Sequence, residues 1–293
     1  MHVLIQGLIM GVLTGGVYAL MASGQTLIFG VMKVVNLAQG AFVIASAYLT
    51  FSLFTQFGID PFVSILITTP LMFGIGMLAH WVFLRPLRKE DAVELSILVT
   101  FALALLVEGL LSVTYRTTYR SINNTYSNKA FLLGDGFSIP YVRLYGFFIS
   151  IALLLVLYFV LQKTKFGRAI RATVQNPQSA TLLGVDSTRV KAYGFGLGIA
   201  TSAASGSIFG LLYPFNSGSH YDLISRLLSV VILGGLGSIG GAVFAGILIG
   251  VVSSVAAVVW SPTWSEMTFF IVLLLVLLFR PQGMFGRLER GAA

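Results

Sequence analysis

The chain contains no cysteine among its 293 residues, which excludes disulfides, thiol chemistry and Cys-based metal sites. Its three histidines, His2, His80 and His220, are far apart, and no His-x-x-x-His or similar pair exists. A metal site therefore has no support from ligand spacing. No Gly-x-x-x-x-Gly-Lys-Ser/Thr run occurs, so there is no P-loop to bind ATP. Charge is scarce: 10% of the residues are charged, against about 25% in an ordinary soluble domain. A soluble fold of this size cannot cover itself with so little charge. The first Lys or Arg is Lys33. The apolar N-terminus thus lacks the basic region that opens a cleaved signal, and it reads as a retained membrane helix.

What is present is apolar. The chain is 57% hydrophobic with a mean hydropathy of +0.92. Several runs reach the roughly 20 residues that a helix needs to cross a bilayer. They are continuously apolar rather than alternating, which predicts helices and not a barrel. The expected spans are 6–31, 40–57, 62–84, 95–114, 144–161, 192–213, 224–236, 241–259 and 266–279. The fold class is an all-α polytopic bundle, one transmembrane domain over 1–293, with eight or nine helices. The count stays open because the seventh run is short and is separated from the eighth by Gly234, Gly235, Gly237, Gly240 and Gly241.

A net charge of +8 would point to nucleic acid in a soluble chain. Here it fits Lys and Arg held on the cytoplasmic side of a lipid membrane, with no nucleic-acid partner. The linker 162–191 carries Lys163, Lys165, Arg168, Arg171, Arg189 and Lys191 against Asp186 alone. The C-terminal tail carries Arg280, Arg287 and Arg290. Placing both inside, and threading nine crossings, adds Lys33, Arg85, Arg88 and Lys89 to that side. Only Arg116, Arg120, Lys129, Arg143 and Arg226 remain outside, a split of thirteen to five. The N-terminus then faces out and the C-terminus is cytoplasmic. Eight full crossings would put one basic end on the wrong side, so parity favours splitting 224–259. The longest outer connection, 115–143, is polar and mixed, with no mark of a folded domain. Trp260, Pro262 and Trp264 fall in a short outer turn, 260–265, at a level where tryptophan anchors helix ends.

Gly194, Gly198, Ser202, Gly206 and Gly210 recur every four residues and line one helix face with small side chains. Gly7, Gly11 and Gly15 repeat the device. Such faces let backbones approach closely in lipid. Packing within one subunit is the favoured reading, and a moving seam or pore wall is the sharper one. Asn36, followed by Gln39, sits where the second span should begin. Capping is favoured by propensity, while a polar lining at a helix terminus near a transport path is the functional reading. The segment from Gly234 through Gly235, Gly237, Ser238 and Gly240 to Gly241 is either a gate or a tight turn at the inner surface. Glu108 is the one ionisable residue in the run 95–114 and is a functional hypothesis by default. It can equally be reached by interfacial water, or be protonated and bonded to Ser112. Without a charged partner in another span it is a thin basis for a proton relay. The deep serines Ser202, Ser205, Ser253 and Ser254 have no His or Asp nearby in a span, so an intramembrane enzyme has little support.

The basic linker is long for a mere connection. Arg168 to Val174 can form one short helix, Asn176-Pro177 breaks it, and Ser179 to Leu183 can form a second. Gly184 can end the second with a positive φ. Leu182, Leu183 and Val185 then make an apolar tip suited to a groove on a partner. A solvated basic linker near anionic lipid is the alternative. The run Gly167-Arg168-Ala169-Ile170-Arg171-Ala172, followed by Asn176, Ala180 and Gly184-Val185, resembles the cytoplasmic coupling loop of ABC importer permeases. Three further stretches narrow the resemblance to the permeases of branched-chain amino acid uptake systems: 24–48 (GQTLIFGVMKVVNLAQGAFVIASAY), 233–250 (LGGLGSIGGAVFAGILIG) and 277–286 (LLFRPQGMFG). The four occur in the expected order across nearly the whole chain. The size fits the smaller of the two permeases such systems pair.

The resemblance implies a bacterial inner-membrane complex with a second permease subunit, two ATP-binding cassette subunits and an external solute-binding protein. This chain would hold no cofactor and catalyse no reaction, ATP and Mg being bound by the ATPases. Gly167, Arg168, Arg171, Ala172, Asn176, Ala180 and Gly184 would receive the ATPase motion, and Asn36, Gln39, Glu108, Gly234, Gly235, Gly237, Ser238 and Gly240 are candidates for the path. Branched-chain amino acids are the expected solute. A urea or amide permease shares the scaffold, and a secondary transporter or channel is the reading outside the class.

Overall fold

The computed structural model describes residues 2–87, 92–124, 126–127, 129–133 and 137–286. Arg88, Lys89, Arg287 and Arg290, used in the charge split, lie outside the described residues. Eight elements among the described residues are long and apolar enough to cross a membrane. They are α1 (His2–Met32), α2 (Gln39–Phe57), α3 (Pro61–Ala79, prolonged by a wide turn over His80–Leu84), α4 (Ala92–Tyr115) and α5 (Tyr141–Lys163), then α8 (Ser187–Leu212), α10 (Ile239–Val259) and α11 (Pro262–Phe279). Two short helices, α6 (Lys165–Gln175) and α7 (Pro177–Leu182), occupy the basic linker, and α9 (His220–Gly234) precedes the glycine break.

The nine expected segments are thus all helical, and the run 224–259 is split at the glycines into α9 and α10. At about 1.5 Å per residue the 15 residues of α9 reach about 22 Å, short of a hydrocarbon core of about 30 Å. Several starts lie earlier than expected, two of them at prolines. Proline in the first turn opens α3 at Pro61 rather than at 62, and the Asp60 carboxylate accepts from the Phe62 N–H at 2.9 Å. Likewise Pro262 opens α11 at 262 rather than 266, so Trp264 lies inside that helix. Within the connection 115–143, which showed no folded feature in sequence, Ala130–Leu133 (β1) and Phe137–Pro140 (β2) pair antiparallel, Phe131 opposite Ile139.

At the centre stands α8, nearly all of whose apolar window is buried, with α1, α2 and α3 packed around it. Its small face explains the fit. Gly194 meets Val31, Gly198 meets Ile28 and the Gly24 carbonyl, Gly206 meets the Val43 backbone, and Gly210 meets Ala47. The second glycine series joins α1 to α10: a Cβ on Gly250 would lie 2.5 Å from the Gly15 Cα, and one on Gly11 2.6 Å from the Val251 Cα. Both series are therefore packing seams within this chain, where van der Waals contact drives helix association. Buried hydroxyls add hydrogen bonds between helices. Ser46 donates to the Ala203 carbonyl at 2.6 Å, and Ser207 meets Thr50 at 2.8 Å and Thr68 at 3.1 Å.

Candidate functional site

In the linker, Thr164 accepts from the Gly167 N–H at 3.1 Å and starts α6. The turn onto α6 is so tight that a Cβ on Gly167 would overlap the Leu161 carbonyl. Arg171 donates to the carbonyls of Leu161 and Gln162, so it caps the end of α5. Ile170 is buried with Leu27, Val31, Leu157, Leu161 and Val190, which roots α6 on α1, α5 and α8. Asn176 is extended, as a residue before proline must be, and its side chain accepts from the Ser179 N–H at 3.0 Å to start α7. At the other end of α7, Gly184 has φ +83°. Its N–H donates to Thr181 and the Val185 N–H donates to Ala180, both at 3.0 Å, a helix stop that needs a left-handed residue. Ala180 is buried and Ala172 half-buried, while Arg168, Leu182 and Leu183 are exposed, the leucines at 89% and 83%. The linker is therefore a rooted helix followed by a short one that presents two bare leucines.

Asn36 and Gln39 are fully buried. Asn36 accepts from the Ala38 N–H at 3.1 Å and donates to Gln39 Oε1 at 3.1 Å, and Gln39 donates to Ser202 and to the Gly198 carbonyl. The residue at the cap position of α2 is Ala38, not Asn36. This polar chain ties the α1–α2 connection to the small face of α8. In the glycine break, Gly235 and Gly237 have φ of +96° and +83°, and Ser238 accepts from the Gly241 N–H at 3.1 Å to start α10. The chain end returns to seal it: Met284 and Phe285 donate to the carbonyls of Leu233 and Gly234 at 2.8 and 3.2 Å. The break is thus a turn stitched to the 280–286 segment, with Gly240 in open space and Gly237 beside Gly30.

Glu108 has partners that α9 supplies. The Tyr221 hydroxyl donates to its Oε2 at 2.9 Å, and His220 Nε2 lies 3.9 Å from the same oxygen. Ser112, the alternative partner for Glu108, instead donates to Ser217 at 2.9 Å. The position of α9 matters more. A Cβ on Gly40 would lie 2.6 Å from the His220 carbonyl, so α9 begins beside the start of α2. Because Gly210 of α8 faces Ala47 of α2, the irregular segment 213–219 turns back into the bundle before α9 starts. Non-helical backbone at that depth must be buried in protein or line a wet cavity.

A cavity is there. It measures about 400 Å³ and is walled by α1, the end of α8, the 213–219 segment, α9, α10 and α11, with Tyr119 and the first turn of α5. It lies toward the end of the bundle opposite the linker, because α5 and α11 begin there and α8 ends there. Arg226 Nη2 donates to Glu266 Oε1 at 2.8 Å, and Arg143 Nη1 donates to Thr14 at 3.4 Å. Asp222, one turn before Arg226 on α9, and the buried Tyr18 also line it, with hydroxyls from Ser219, Ser253, Ser254 and Ser265. Sequence reasoning placed Arg143 and Arg226 among the outer charges and did not join them to Asp222 or Glu266. The readable signal was Arg226 itself, a cation within an apolar run.

Residues 7–277 match the family described as branched-chain amino acid transport system, permease component. The chain is 27% identical over 302 residues to the high-affinity branched-chain amino acid transport system permease protein BraD of Pseudomonas aeruginosa, covering 97% of this chain and 96% of that one. It is 27% identical over 280 residues to the probable branched-chain amino acid transport permease protein LivH of Methanocaldococcus jannaschii, covering 91% and 88%. Among solved structures, PsaBC from Streptococcus pneumoniae in complex with Fab aligns with a TM-score of 0.48 at 11% identity, covering 93% and 91%.

Proposed function

The chain belongs to the family of permease components of branched-chain amino acid transport systems, and from that premise we propose that it is the membrane subunit of an ATP-driven importer of branched-chain or related amino acids. Its whole length forms one permease domain in a bacterial inner membrane, with the N-terminus outside and the linker and C-terminus in the cytoplasm. A second permease completes the path, two ATPases bind ATP and Mg, and an external binding protein delivers the solute. The observation that carries this reading is the linker. Its second helix offers Leu182 and Leu183 to a partner, and its first is packed by Ile170 against α1, α5 and α8. A push on α7 is thereby delivered to three spans at once, which is what alternating access driven by a separate ATPase requires.

The test is reconstitution of the permease pair in vesicles with its binding protein, with and without the ATPases. Leucine uptake should appear only with the ATPases and ATP. Uptake at the same rate without them would contradict the reading and favour a secondary transporter or channel.

A further inference from the structure

The charged cavity has a composition that neither an anion site nor a cation site would have. Two guanidinium groups, Arg143 and Arg226, share it with two carboxylates, Asp222 and Glu266. Charges at membrane depth are costly and are retained where they meet water, a partner or a ligand. An ion pair with one exposed partner, such as Arg226–Glu266, contributes little to stability, so holding the fold together does not account for four charges around one space. Arg226 is the more buried of its pair: it is 21% exposed, whereas Glu266 is 69% exposed. The Arg226 guanidinium also lies over the Phe269 ring, 5.6 Å from its centre, and Tyr18 beside it is 6% exposed. The rest of the wall mixes hydroxyls, among them Ser219, Ser253, Ser254 and Ser265, with an apolar patch of Phe209, Leu223 and Ala257. A volume of about 400 Å³ is in the range of small-ligand pockets and holds a solute of leucine size with water.

We infer that this cavity is a solute subsite for a zwitterionic α-amino acid, whose carboxylate pairs with Arg226 and whose ammonium pairs with Glu266 and Asp222. The solute opens the Arg226–Glu266 pair and takes its place between the two groups, while its aliphatic side chain lies against Phe209 and Leu223. Balanced charge admits a molecule of zero net charge and disfavours plain anions and cations, each of which leaves one protein charge uncompensated. The inference rests on the importer reading and gives it a selective step inside the membrane subunit.

The test uses the complete complex in vesicles. Arg226→Gln and Glu266→Gln should each lower ATP-driven leucine uptake by about tenfold, the loss expected for one charge-assisted hydrogen bond to a ligand. Both variants should still assemble with the ATPases and capture the binding protein as the wild type does. The double variant should remain impaired. Full recovery in the double variant would show a structural ion pair only and overturn the subsite, as would unchanged uptake in either single variant. Should a variant fail to assemble, Ser254→Cys gives an independent reading, because the chain has no other cysteine. Leucine should slow thiol labelling at position 254, and a rate unaffected by saturating leucine would overturn the subsite. A wild-type complex that imports no amino acid would sink the importer reading as well, whereas a working complex that fails these tests would sink the subsite alone.

Discussion

Replacing Leu182 and Leu183 together with alanine removes two leucines that are 89% and 83% exposed. Each substitution deletes three carbons. At about 0.8 kcal/mol per buried CH2, scaled by the exposed share of each side chain, complete coverage of both by a partner is worth about 4 kcal/mol, and half coverage about 2 kcal/mol. The ATPase should therefore bind the double variant between about thirtyfold and about a thousandfold more weakly. The permease itself should be undisturbed, because α7 is held by the Asn176 cap and the Gly184 stop and the exposed tips add nothing to the core. The assay is the dissociation constant of the ATPase for the permease pair in nanodiscs, with the melting temperature as a control. An unchanged dissociation constant would refute the reasoning, since it would mean that the leucines are not covered.

Other substitutions separate packing from transport. Gly250→Val forces a side chain against the Gly15 Cα. It should cost about 1–3 kcal/mol and lower the melting temperature in detergent, whereas Gly74→Ala, with nothing within 4 Å, should be neutral. Glu108→Gln keeps an acceptor for Tyr221 and removes the charge, so leucine uptake and its pH profile should match the wild type; loss of uptake would restore the acid to the mechanism. Tyr126 lies in the loop outside the spans, and burial together with the Asp60 carboxylate at 2.7 Å raises its phenol above the ordinary value of 10.0. The folded state thus holds that proton more tightly than the unfolded state. Its contribution is present below pH about 10 and is lost as the pH climbs toward the folded value. Tyr126→Phe should remove that alkaline loss of melting temperature, and an unaltered pH profile would contradict it.

Spans were legible because an uninterrupted apolar run has one solution in lipid. The linker was legible because its punctuation is local: Asn176-Pro177 both breaks and caps, and Gly184 supplies a φ of +83°. The rooting of α6 through Ile170, and the use of Arg171 to cap α5, were not, since both depend on where α5 ends in space. Asn36 had the right chemistry for a cap, but it sits two residues before the cap position Ala38, and its side chain accepts from the Ala38 N–H and donates to Gln39. Periodicity starts α9 four residues late because SGSHYDL resembles a loop. That boundary hides Tyr221 and His220 beside Glu108. The cavity was the least legible feature. Arg226 and Glu266 are forty residues apart, and only the packing of α9 on α11 brings them together.

In the proposed mechanism α7 receives an ATPase and α6 passes its motion into the bundle. A cysteine at position 183, unique in the chain, can be joined to one placed in the docking surface of the ATPase. The most direct measurement is ATP-driven leucine uptake before and after that disulfide is formed and then reduced. Formation of the bond with transport changed by it and restored by reductant is the predicted result. Failure of residue 183 to cross-link to any ATPase position, while ATP-driven uptake proceeds, would contradict the account.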